Sequence, residues 1–143
     1  MRSSLRTVPV LAVLLLALTG CGDAEYETDE RTITVESGEK FSLDVPAWAP
    51  LGQNWYLADP APDPEVLEYR GNRERDVSDR DGSELFDFTA LSPGKTTVKL
   101  LFCPYGRCSS AEEVAASPVP TATGTPTDSD HDAAYYVYTI TVR

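Results

Sequence analysis

Three cysteines, one histidine and a short acidic run are the side chains of this 143-residue chain best equipped for chemistry. Cys103 and Cys108 are separated by four residues, Pro104, Tyr105, Gly106 and Arg107. Two thiols so close serve either as a redox pair or as a structural bridge. A redox pair depends on a lowered thiolate pKa, which a C-x-x-C at a helix N-terminus supplies. Here the spacing is wider and the pair follows a strand-like run, which favours the structural bridge. The single histidine, His131, lies in Asp128-Ser129-Asp130-His131-Asp132 with no nucleophile beside it. No triad or acid–base pair is legible, so an enzyme is not expected. Asp128, Asp130 and Asp132 have the opening spacing of a calcium loop, but Ala133 stands where such a loop needs glycine and Thr139 where it needs glutamate. Neither a metal nor a cofactor is expected.

Cys21 has a different setting. Arg2 and Arg6 precede a short apolar run at 8–18, VPVLAVLLLAL. Such a run is too short to span a hydrocarbon core of about 30 Å comfortably, and it suits the apolar core of a signal peptide. It ends in Leu18-Thr19-Gly20-Cys21, which resembles the lipobox of bacterial lipoproteins. That resemblance implies a signal peptide at 1–20, cleavage before Cys21, and a diacylglyceryl group on the Cys21 thiol. Two acyl chains, at about 0.8 kcal/mol per buried methylene, suffice for lasting attachment. The expected location is the cell membrane, lipid-anchored through Cys21 and exposed on the extracytoplasmic side. Disulfides persist there. With Cys21 taken by lipid, Cys103 and Cys108 are left to pair.

Charge excludes one class of partner. The chain carries a net −11, and removing Arg2 and Arg6 with no acid takes it two lower, to −13. Nucleic acid is not an expected partner, because phosphate binding needs a basic patch. The length suits one domain, and a monomer is expected.

The elements that must position these residues read as strands. Residues 22–30 (GDAEYETDE) have the composition of an acidic tether that buries too little to fold. From Arg31 onward the apolar residues recur with period two, the mark of half-buried strands. Ile33 and Val35 alternate with threonine; Phe41, Leu43 and Val45 share a face; Asn54 to Ala58 and Val66 to Arg70 are short strands. Residues 71–82 are charged and read as loop. Phe86, Phe88 and Ala90 then share a face, as do Val98, Leu100 and Phe102, and finally Tyr136, Tyr138, Ile140 and Val142. Residues 104–133 separate the last two strands, and 109–133 form a Pro/Thr-rich insertion. About seven strands with no amphipathic helix predict an all-β, antiparallel sandwich over 31–143.

Within that pattern the chain resembles the chagasin-type inhibitors of papain-like cysteine peptidases. The residues that carry the resemblance are Phe86-Asp87-Phe88-Thr89-Ala90, Gly94, the alternating Val98, Leu100 and Phe102, and Cys103-Pro104-Tyr105. Pro50-Leu51-Gly52-Gln53-Asn54-Trp55 occupies the place of the family's Asn-Pro-Thr-Thr-Gly-aromatic loop, and Asp79-Arg80-Asp81-Gly82 that of its glycine-rich loop. The first loop lacks the family's asparagine and both threonines. The third lacks its arginine, with Arg107 close enough to substitute.

The resemblance implies an immunoglobulin-like sandwich and occlusion of a peptidase cleft by three loops. Pro50, Leu51, Gly52, Gln53 and Asn54 would form the tip, with Trp55 packed behind it and Trp48 as a brace. Asp81 and Gly82 would flank it on one side, and Pro104, Tyr105 and Arg107 on the other. The plainer reading is that Trp48 and Trp55 are core aromatics and the prolines and glycines only turn the chain. The competing function is a cell-envelope binding or structural lipoprotein that displays the same loops without inhibiting a peptidase.

Overall fold

The computed structural model describes residues 22–76, 82–127 and 130–143. The expected signal peptide, Cys21, Asp81 and Asp128 lie outside the described residues. Eight strands are present among those described: β1 (Ala24–Glu27), β2 (Thr32–Val35), β3 (Lys40–Pro46), β4 (Asn54–Leu57), β5 (Leu67–Asp76), β6 (Gly82–Ala90), β7 (Gly94–Cys103) and β8 (Ala134–Val142). They form two four-stranded sheets, ordered β1-β3-β6-β5 and β2-β8-β7-β4. This is the expected sandwich.

The alternating residues account for it. Phe41, Leu43 and Val45 on β3, Phe86, Phe88 and Ala90 on β6, Val98, Leu100 and Phe102 on β7, and Tyr136, Tyr138, Ile140 and Val142 on β8 are all buried between the sheets. Phe41 stacks on Phe88 with ring centroids 5.5 Å apart, and Trp55 sits 4.9 Å from both Phe102 and Tyr136. Each ring adds more buried area than an aliphatic residue would, plus the preference of aromatic pairs for offset or edge contact.

Four features depart from the sequence pattern. First, the pairing is mixed. β1 runs parallel to β3 and β2 parallel to β8, whereas the other pairs are antiparallel. The N-terminal segment climbs along one sheet edge, crosses at residues 28–31, and descends along the edge of the other sheet. Thr28 is buried at this crossing, its hydroxyl donating to the Asp44 carbonyl.

Second, part of the acidic 22–30 segment is strand rather than unfolded tether. β3 supplies its ladder, and the Tyr26 ring meets Phe41 edge-on at 5.8 Å. Third, residues 71–76 extend β5 although their charge reads as loop. β5 is an edge strand, so Arg73 and Glu74 stay exposed while the backbone pairs with β6, with a bulge between Tyr69 and Gly71.

Fourth, the insertion is built onto the sandwich. It carries a short helix, α1 (Ala111–Val114), capped by the Ser110 side chain, which accepts from the Glu113 backbone N–H. Leu101, Cys103 and Tyr135 point away from the main core, yet they are buried in a second cluster with Ala58, Cys108 and Ala111, against which Val114 and Val119 pack. The unbroken run Leu100-Leu101-Phe102-Cys103 therefore belongs to a strand covered on both faces.

Removing Leu101 should therefore loosen the insertion. Leu101→Ala is expected to cost roughly 2–4 kcal/mol in urea unfolding. It should also expose residues 109–127 to limited proteolysis before the strands are cut. Unaltered stability and protease resistance would contradict this packing.

Candidate functional site

The chain direction brings three segments to one end of the sandwich. β3 ends and β6 begins there in one sheet, because Pro46 pairs with Ser83; β4 begins and β7 ends there in the other, because Asn54 pairs with Cys103. Residues 47–53 cross between the sheets at that end. On one side lies Gly82, at the start of β6; on the other lie residues 103–108.

Backbone contacts join the crossing segment to both neighbours. The Gly106 N–H donates to the Gly52 carbonyl at 3.0 Å, and the Ala47 N–H to the Gly82 carbonyl at 3.0 Å. Gly82 is required by space, and Gly52 by its left-handed backbone together with a tight approach. A Cβ on Gly52 would meet the Gly106 nitrogen at 3.1 Å, and Gly52 also has φ +61°. A Cβ on Gly82 would meet the Ala47 carbonyl oxygen at 2.7 Å.

Within the crossing segment, residues Ala49–Leu51 form a 3-10 turn closed by the Leu51 N–H donating to the Trp48 carbonyl at 3.0 Å. Pro50 is exposed; Leu51 and Gly52 are half-buried. Gln53 turns inward and is nearly buried, its side-chain carbonyl accepting from the Trp48 backbone N–H at 2.9 Å. Asn54 is exposed and donates to the Gly52 carbonyl at 3.3 Å. Trp55 is only 2% exposed; its indole N–H donates to the Pro46 carbonyl at 2.9 Å. It anchors the segment from behind and offers no face to a partner. Trp48 is half-buried, and its indole nitrogen has no hydrogen-bond partner among the described residues.

The third segment is held differently. Cys103 and Cys108 form a disulfide, Cα–Cα 5.9 Å, and both are buried. Sulfurs so placed are structural rather than reactive. Pro104 is buried, whereas Tyr105 projects outward with φ 55° and ψ 30°, a left-handed conformation uncommon for a bulky residue. Its ring stacks on His131 at 4.9 Å, and exposed Arg107 lies 4.0 Å from Asp132. His131 is thus engaged with an aromatic ring. No group of three or more His, Cys, Asp or Glu side chains is arranged to hold a metal among the described residues.

One residue of this end escapes the motif-based reading. Glu84 faces inward beneath the crossing segment and is 8% exposed. Its carboxylate accepts from the Asn72 side-chain amide on the neighbouring strand β5. Burial raises its pKa, and Glu74 adds to the rise, against the opposing hydrogen bonds from Asn72 and Trp55. The signal was available: Glu84 is in phase with Phe86, Phe88 and Ala90 on a strand whose alternation places that face in the core.

Three solved structures are similar to this chain. One is a cysteine protease inhibitor, EhICP2, from Entamoeba histolytica, with TM-score 0.52 and 11% identity over 84% of this chain and 94% of that one. Another is Amebosin in solution, with TM-score 0.46 and 13% identity over 85% and 99%. A third is PbICP-C in complex with falcipain-2, with TM-score 0.45 and 15% identity over 88% and 96%. The likeness to EhICP2 shows a shared fold, the one that the resemblance to chagasin-type inhibitors implies. No protein-family model matches the chain, and no curated protein matches its sequence.

The buried carboxylate gives this end a pH dependence. A carboxylate whose folded pKa lies above its unfolded value leaves stability intact below the unfolded pKa and lowers it as pH rises through the folded pKa. Glu84→Gln keeps an acceptor for Asn72 without the charge. It should therefore raise the thermal midpoint relative to wild type at pH 7, with the gain vanishing near pH 4. An equal effect at both pH values would remove the assignment.

Proposed function

We propose that this chain is a lipid-anchored inhibitor that seats the end formed by residues 47–54, Gly82 and 104–107 in the active-site cleft of a papain-like cysteine peptidase. The observation that carries the proposal is the pair of backbone bonds, Gly106 to Gly52 and Ala47 to Gly82, that joins three segments into one end. A wedge held by rigid strands and closed by its own hydrogen bonds loses little freedom on docking, so more of its contact energy remains as affinity. The sandwich it shares with the inhibitor EhICP2 supports the same reading.

The roles follow from placement. Pro50 and Asn54 are the exposed residues of the tip, and Gly52 brings backbone close to the partner. Tyr105 is the outward aromatic, of a type that dominates interface energetics when buried by a partner. Trp55, Gln53 and Glu84 act from behind as positioning residues. The disulfide holds the segment that presents Tyr105 and Arg107. Occlusion requires no reaction at the inhibitor.

The acidic, lipid-modified N-terminus would hold this wedge at the outer face of a membrane, where it would meet secreted peptidases. Cys21→Ser is expected to abolish acyl labelling of the protein and to move it from the membrane to the soluble fraction. Continued labelling would place the anchor elsewhere.

Inhibition is tested with residues 22–143, which contain every described strand and both buried clusters, kept oxidised. Reversible inhibition of papain at submicromolar concentration is expected. Gly52→Val forces a β-branched residue into the left-handed region against the Gly106 backbone. At about 1–2 kcal/mol for that conformation alone, it should weaken inhibition about tenfold or more. Tyr105→Ala should weaken it as well without changing the thermal midpoint by more than a few degrees. A folded sample that leaves papain untouched at high micromolar concentration would favour the envelope-binding alternative.

A further inference from the structure

The short segment between the expected anchor and the sandwich decides which end of the molecule meets the membrane. Only Gly22 and Asp23 separate Cys21 from β1. An extended chain gains at most about 3.6 Å per residue, so Ala24 lies within about 11 Å of the Cys21 Cα. β1 runs parallel to β3, with Ala24 opposite Phe41 and Glu27 opposite Asp44. β3 in turn runs from Lys40 to Pro46, the latter at the end that carries the three segments. The chain therefore enters the fold at the opposite end and climbs toward the wedge. Its attachment there is firm: four ladder pairs, the edge contact of Tyr26 on Phe41 at 5.8 Å, and Arg75, which reaches across the sheet to Glu25 at 3.0 Å. Were β1 free, the stretch from Cys21 to Arg31 would reach about 36 Å and would let either end lie on the membrane.

The entry end is built from two turns, 36–39 between β2 and β3 and 91–93 between β6 and β7. The Gly38 N–H donates to the Ala90 carbonyl at 2.7 Å, the Ser37 N–H to the Arg143 carbonyl at 2.9 Å, and the Leu91 N–H to the Val66 carbonyl at 2.9 Å. Two large hydrophobic side chains are exposed among the described residues, Leu91 at 41% and Tyr105 at 39%, and they stand at opposite ends of the sandwich. β7 connects those ends, from Gly94 to Cys103; at about 3.3 Å per residue they are roughly 30 Å apart. Charge also distinguishes the entry end. Lys40, Lys95 and Arg143 offset three of the five acids there, at positions 23, 36, 39, 63 and 65, so it holds −2 of the −13 that the chain carries without its signal peptide. Anionic headgroups therefore repel it little.

We infer that the end formed by residues 36–39 and 91–94 is a membrane-contact surface, resting on the lipid headgroups with Leu91 at the interface while the wedge faces away from the bilayer. The inference rests on the lipid anchor proposed above and not on inhibition. It gives β1 a function: paired to β3, it turns a long tether into a short one and sets the orientation of the whole sandwich. The wedge then stands several Debye lengths of about 8 Å above the surface, beyond the field of charged lipids. A soluble peptidase can approach it from bulk solvent with no bilayer in the way.

The test uses the full lipid-modified protein in phosphatidylcholine vesicles, some of whose lipids carry a nitroxide quencher on the headgroup. It contains no peptidase, and acyl labelling with co-flotation on the vesicles reports the anchor separately from the orientation. Trp48 and Trp55 lie near the wedge and give the baseline emission, which the nitroxide should leave unchanged. Leu91→Trp should lose roughly half or more of its added emission, because an indole at that position lies at headgroup level. Tyr105→Trp should be spared. So should Leu91→Trp combined with Cys21→Ser, because the anchor rather than the indole brings this end down. Quenching of Tyr105→Trp as strong as that of Leu91→Trp, an unquenched Leu91→Trp in anchored protein, or equal quenching without the anchor would overturn the assignment.

Discussion

The amide of Gly106 donates to the carbonyl of Gly52, and the rest of this end of the molecule depends on that contact. It needs Gly52 at φ +61°, a conformation that favours glycine, with two loop backbones in tight approach where a Cβ would sit 3.1 Å from the Gly106 nitrogen. It needs the 103–108 segment to return sharply, which the disulfide enforces and which leaves Tyr105 in a left-handed conformation. It also needs the crossing segment to be fixed from behind, which Trp55 achieves through the Pro46 carbonyl and its packing on Phe102 and Tyr136. The joining of three segments at this end is therefore a consequence of strand direction, two glycines and one buried indole.

Much of the frame was legible in the residues. Period-two alternation identifies β3, β6, β7 and β8 because each has one face in the main core. The edge strand β2 carries the same signal in Ile33 and Val35, whereas β1 and residues 71–76 of β5 do not. β5 is charged along residues 71–76 and β1 is acidic, yet both pair, because a ladder is made by backbone groups and needs only one neighbour to supply it. The parallel direction of β1 and β2 follows from a crossing at Thr28, and nothing local in the sequence encodes which sheet receives each half.

The candidate site was legible to a different degree. Its three segments could be located by their order between strands, and the two close-approach glycines by type. The direction of individual side chains could not. Gln53 reads as a tip residue, but its amide closes the loop on the Trp48 N–H and faces inward. Glu84 was hidden by its chemistry: an acid in the core phase of a strand looks like a break in the pattern, whereas here it accepts from Asn72 on the neighbouring strand. The insertion shows the same limit. Its Pro/Thr-rich composition suggests a solvated loop, while Leu101 and Tyr135 on the opposite strand faces provide a surface that orders it.

The most direct test of occlusion is to measure whether the catalytic thiol of papain is shielded. Papain is treated with iodoacetamide in the presence and absence of excess oxidised 22–143 protein, and the rate of thiol alkylation is followed by mass spectrometry. A wedge seated in the cleft predicts alkylation slowed in proportion to the fraction of enzyme bound, with normal rates restored by dilution. An unchanged alkylation rate under conditions where the two proteins are bound would contradict it, because binding would then leave the cleft open.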